Sequence, residues 1–131
     1  MFQRFMTTLD HMILNVNDRA NSVRFYTTIL ALEDAGMDGP FAVLRVNADT
    51  TLQLAQRPTT GGEHLAFAMT RAEFEAAFQR IRDAGIPYGD SFASVGSSTG
   101  PGDETGARGV GKAVYCFDPN RHLIEIRHYE T

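Results

Sequence analysis

Short runs in which apolar residues alternate or cluster fill much of the chain, and two stretches of helical period lie between them. His11–Val16, Phe41–Val46, Thr51–Ala55, His64–Met69, Val114–Phe117 and Leu123–Arg127 are rich in apolar or β-branched residues. Gly, Pro, Asn or Asp bound them, which predicts strands. Pro87–Phe92 carries a weaker version of the same pattern. From Ala20 to Leu30, Val23, Tyr26, Ile29 and Leu30 fall on one face of a helix, with Asp18 in place to cap it. A second helix opens on the T-x-x-E capping box Thr70–Glu73 and carries Phe74, Ala77, Phe78 and Ile81 as its apolar stripe. Gly85 and Pro87 stop it.

The order of these elements repeats. Strand, helix and two or three strands run from His11 to Ala55, and the series restarts at His64 and ends at Arg127. Such a repeat fixes the architecture. Laying LDHMILNV (9–16) over GEHLAFAM (62–69) pairs Asp10-His11 with Glu63-His64, and laying TLQLAQ over LIEIRH pairs Gln53 with Glu125. His11 and Gln53 are 42 residues apart and His64 and Glu125 are 61 apart, so the second copy is longer by 19. The stretch 93–111, ASVGSSTGPGDETGARGVG, has no periodicity and holds half of the twelve glycines. It accounts for the surplus as an inserted loop. The fold class is therefore α+β, a βαβββ unit written twice in one domain over 1–131, with modules at about 8–58 and 62–130.

Composition narrows the functional classes. A formal net charge of −4 gives no basic face for nucleic acid. The first twenty residues are interrupted by charges and amides too often for a signal peptide, and no apolar run is long enough to span a bilayer. A cytoplasmic protein is expected. Cys116 is the only cysteine, which excludes internal disulfides and thiolate zinc clusters.

His11, Gln53, His64 and Glu125 are polar residues on strands otherwise made for a core. One explanation is a wet sheet face. The other is a cation, since a carboxylate among aliphatic neighbours is costly unless paired or bound. Two imidazoles and a carboxylate at equivalent points of a repeat suit Fe(II), Mn(II), Ni(II) or Zn(II) and leave coordination positions open. The absence of thiolates argues against a structural zinc site.

These residues also carry a resemblance. LDHMILNVNDRANSVRFYTTIL resembles the opening of the vicinal-oxygen-chelate superfamily, the glyoxalase/bleomycin-resistance/extradiol-dioxygenase proteins. GEHLAFAM resembles its second histidine strand, and VYCFDPNRHLIEIRHYE its closing strand pair with the Asp-Pro turn and the metal-binding glutamate. The resemblance runs from about Leu9 to Tyr129. It implies modules curling into a cup-shaped mixed sheet around one divalent metal held by His11, His64 and Glu125, with Gln53 at the place of a fourth ligand. It also implies a homodimer in which two chains share ligands. The expected activity is a lyase, isomerase or dioxygenase reaction on a small substrate that chelates the metal through adjacent oxygens.

The resemblance leaves several chemistries open. Extradiol dioxygenases place an aromatic alcohol ten residues before the glutamate, and Tyr115 stands there before Glu125. Where they carry an acid–base histidine, this chain has Gly106. Glyoxalase-type isomerases need two carboxylates at the metal, and Gln53 offers only an amide. Fosfomycin-type thiol transferases need cations for a phosphonate, for which Arg108 and Lys112 are the candidates. Bleomycin-resistance relatives bind a ligand without metal and catalyse nothing. GARGVGKA (106–113) comes within one residue of a nucleotide-binding P-loop, but Ala113 lacks the metal-binding hydroxyl and a strand pattern follows where a helix is required. That segment is expected to be a lid, with Arg108 and Lys112 reaching an anionic substrate. His122 is expected to be a solvated turn residue, and Arg127 a surface charge, a residue that orients Glu125 or one that meets an anionic substrate.

Overall fold

The computed structural model describes residues 6–130. The chain divides between Thr59 and Thr60 into two compact units, each with its own sheet.

In the first unit, strand β1 (His11–Val16) leads to helix α1 (Arg19–Thr28) and then to β2 (Glu33–Asp38), β3 (Phe41–Arg45) and β4 (Thr51–Gln56). The sheet order is β1-β4-β3-β2, with β1 parallel to β4 and the other neighbours antiparallel. Leu14, Val16, Ala42, Leu44, Leu52 and Leu54 are buried. Because strand side chains alternate between faces, His11, Ile13, Thr51 and Gln53 occupy the other face. Asp18 caps α1 by accepting from the Asn21 backbone N–H at 3.1 Å. The buried residues of the helix are Ser22, Phe25 and Tyr26, with Ile29 at its cap. Val23 is only half-buried, so the stripe is turned from the one centred on Val23. Ser22 completes the i, i+3, i+4, i+7 spacing, and a polar residue in that series hides it from a hydrophobicity pattern.

Strand β2 has no counterpart among the expected strands. All six of its residues, EDAGMD, are exposed. It forms because β3 offers an open edge, and a cross-strand ion pair, Arg45 Nε to Glu33 Oε2 at 2.9 Å, ties its start. Gly36, with φ +85°, lies where the register shifts.

In the second unit, β5 (His64–Ala68) and α2 (Arg71–Asp83) are followed by β6 (Tyr88–Gly89), β7 (Gly102–Gly106), β8 (Gly109–Phe117) and β9 (Leu123–His128). The order is β5-β9-β8-β6, β5 runs parallel to β9, and β7 pairs with β8. Both halves of the capping box are formed, and the buried residues of α2 are Phe74, Ala77, Phe78 and Ile81. Burying a Phe or Ile side chain contributes roughly 1.5–3 kcal/mol, so this stripe fixes the helix on its sheet. Each unit is a βαβββ module, the second with one added strand. The register repeats as well: Gln53 pairs with Ile13, two residues beyond His11, and Glu125 pairs with Ala66, two residues beyond His64.

The stretch 93–111 is not a loop throughout, which corrects the expectation of an unstructured insertion. Residues 102–106 and the start of β8 form an antiparallel hairpin closed by Ala107-Arg108, and β8 begins at Gly109, five residues before Val114. The glycines that erase its periodicity are the means by which it approaches β9. A Cβ on Gly106 would run into the Arg127 guanidinium and the Tyr129 hydroxyl, and one on Gly111 into the His128 carbonyl. Among the described residues no helix is long and apolar enough to cross a membrane.

Candidate functional site

Glu125 is the centre of a polar cluster on the face of the second sheet opposite α2. It lies on β9 between Ala66 of β5 and Tyr115 of β8, and only 5% of its surface is exposed. His64 Nε2 stands 3.0 Å from Glu125 Oε1, and Arg127 Nη1 donates to Oε2 at 2.5 Å. Tyr115 stands directly opposite Glu125 in the β8–β9 register, on the same sheet face. Burial, then the negative charge of Glu125, pushes the Tyr115 phenol up to about 12. At neutral pH it is a hydrogen-bond donor and not a base. Arg127 is buried at 3% exposure and paired with Glu125, so it is not a surface charge and stands where it orients the carboxylate. Its Nη2 donates to the Glu104 carbonyl of β7 at 2.8 Å.

The approach to His64 is braced by the Asp-Pro turn. Asp118 Oδ1 accepts from the backbone N–H groups of Asn120, at 2.8 Å, and His122, at 2.9 Å. His122 Nδ1 accepts from the Glu63 N–H at 3.2 Å, next to His64. Asp118, Asn120 and His122 are all buried, which corrects the expectation of a solvated His122. A buried polar group needs a partner, and this one finds it across the parallel pair β5–β9. No short-range signal in the sequence marks that contact.

In the first unit, His11 Nδ1 lies 2.7 Å from Asp10 Oδ2. A carboxylate on one ring nitrogen orients the other and makes it a better ligand. Gln53 sits half-buried on the adjacent strand, on the same sheet face as His11. Of the two cations expected over the site, Arg108 lies at the hairpin tip with its guanidinium 4.4 Å from the centre of the Tyr129 ring. Arg127 is placed over that ring too, at 4.7 Å. Lys112 is turned away, which corrects its expected role. It pairs with His128 on the α2 face, binds Asp103 at 2.6 Å and lines a cleft of about 510 Å³ with Phe74 and Phe78.

The donor set fits a divalent ion. His64 Nε2 and Glu125 Oε1 are hydrogen-bonded at 3.0 Å, close to the separation of two ligands that share one ion at bond lengths of about 2.1 Å. Imidazole with one carboxylate oxygen suits first-row divalent metals. Within either unit, among the described residues, no three His, Cys, Asp or Glu side chains are gathered together.

Residues 8–126 match the Glyoxalase/Bleomycin resistance protein/Dioxygenase superfamily, and the chain belongs to that superfamily. The chain is similar to the oxidase ChaP-H2, 28% identical with a TM-score of 0.80 over 96% of each chain. It is similar to the oxidase ChaP-H1, 30% identical with a TM-score of 0.78 over 95% of this chain and 97% of that one. The virulence protein STM3117 of Salmonella typhimurium is 28% identical over 97% of this chain and 88% of its own length.

Proposed function

We propose that this protein is a divalent-metal-dependent enzyme acting on a small substrate that presents two adjacent oxygens, and that it works as a homodimer. The observation that carries this is the imidazole–carboxylate pair His64/Glu125, held at ligand spacing on two hydrogen-bonded strands. His64, Glu125 and His11 would hold the ion, and Gln53 would add a neutral amide. A metal bound there supplies Lewis acidity, stabilising negative charge that develops on the substrate oxygens. The chain's own groups do the rest. Tyr115 keeps its proton and presents a donor beside the carboxylate. Arg127 balances the charge of the Glu125 carboxylate.

Among the possible reactions, oxygen-dependent oxidation or ring cleavage is favoured over isomerisation. Tyr115 beside Glu125 supports it, as does similarity at 28% and 30% identity to two proteins named oxidases. Gln53 in place of a second carboxylate weakens the isomerase, and the turned-away Lys112 weakens the phosphonate-handling transferase. A metal-free ligand-binding role is the second reading, because Glu125 already has a cationic partner in Arg127.

The test is elemental analysis of protein purified without chelator and reconstituted with Fe(II), Mn(II), Ni(II) or Zn(II), followed by oxygen uptake with simple catechols. One ion per chain and catechol-dependent uptake are expected. Well below one ion per chain under every condition sinks the enzyme and leaves the ligand-binding role.

A further inference from the structure

Arg127 is a long cation enclosed in the second unit, two residues from Glu125 on the same strand face. Its three polar atoms have different fates. Nη1 holds Glu125 Oε2, Nη2 holds the Glu104 carbonyl, and Nε is buried without a hydrogen-bond partner. The guanidinium is wedged between β9 and the β7–β8 hairpin, where Gly106 leaves room for it and Tyr129 lies beneath it. A buried N–H left unpaired is costly, so this arrangement is not the cheapest way to place an arginine. What it secures is the carboxylate: Oε2 is occupied by a fixed donor, and Oε1 is left beside His64 Nε2.

We propose that Arg127 is a positioning residue that reserves one oxygen of Glu125 for the metal, and that the β7–β8 hairpin is the brace holding Arg127 in place. The role rests on the metal reading of the site given above. With Oε2 held by the guanidinium, Glu125 can ligate through Oε1 alone, which keeps a coordination position open for substrate. The resident positive charge also opposes the incoming cation, so Arg127 lowers metal affinity while it fixes geometry.

The test uses Co(II) as the probe, in full-length protein, with affinity measured by titration and coordination by visible absorption. The d–d bands of Co(II) weaken as coordination number rises. In Arg127→Met, Oε2 is released, so the bands weaken and affinity rises roughly tenfold from removal of a neighbouring charge. The metal-induced rise in melting temperature also grows, because the unpaired carboxylate gains most from a cation. Arg127→Lys retains a donor and returns the spectrum toward wild type. Gly106→Ala guards against misfolding of Arg127→Met: it keeps the arginine, φ at Gly106 is not in the left-handed region, and the nearest atoms its Cβ meets are those of the guanidinium and the Tyr129 hydroxyl. It shifts spectrum and affinity in the same direction by a smaller amount. Co(II) uptake with unchanged spectrum and affinity in Arg127→Met and Gly106→Ala overturns this role alone. No Co(II) uptake by the wild type overturns the metal reading, and this role with it.

Discussion

Tyr115 and Cys116 are neighbours on β8 that face opposite sides of the sheet, and burial pushes both up to about 12. For Tyr115 the charge of Glu125 adds to the effect, and for Cys116 the charge of Asp118 does. In both, the fold favours the neutral form. The stability this contributes is whole below the ordinary values, 9.0 for the thiol and 10.0 for the phenol, and is lost as pH climbs through about 12. Urea midpoints measured from pH 8 to 12 are expected to fall over the upper part of that range. The double variant Tyr115→Phe, Cys116→Ala should fall less steeply, and parallel curves for the two proteins would refute the assignment. Cys116 is also expected to resist thiol reagents until the chain unfolds, since only the thiolate reacts and the side chain is 1% exposed.

At the scale of the element, α2 and the β7–β8 hairpin show two ways of being specified. The helix is specified locally. Thr70 accepts from the Glu73 N–H and Glu73 Oε1 accepts from the Thr70 N–H, so two orphan donors are satisfied before any tertiary contact forms. Thr70→Ala should cost about 1 kcal/mol, read from chemical denaturation, and a change near zero would mean the packed stripe alone fixes the helix. The hairpin is specified from outside. Gly106 and Gly111 are there for Arg127, Tyr129 and the β9 backbone, so their spacing carries no strand period. Strand β2 belongs to the same class, a wholly exposed segment recruited by the open edge of β3.

At the scale of the whole molecule, the superfamily match places this chain among paired-module proteins, and the two modules present their candidate ligands at the same register positions. The homodimer proposed above predicts a sedimentation mass twice that of the 14.4 kDa chain. A monomer at micromolar concentration that still binds metal would remove shared ligands from the proposal.

The chain by itself determined the elements with a period: both helix caps, the α2 stripe, six strands, and the repeat that aligns His11 with His64 and Gln53 with Glu125. These are local or nearly local properties, written in side-chain alternation and capping chemistry. Only the tertiary structure decided what surrounds Glu125. Tyr115 reaches it by strand register, Arg127 by alternation along β9 as the sequence allowed, and Lys112 is lost to it by strand parity. His122 is buried with a partner 59 residues away in sequence, and the glycines of GARGVGKA make room for a guanidinium. Apart from the Glu125–Arg127 pair, such placements depend on which strands become neighbours, and no short window of sequence contains both partners.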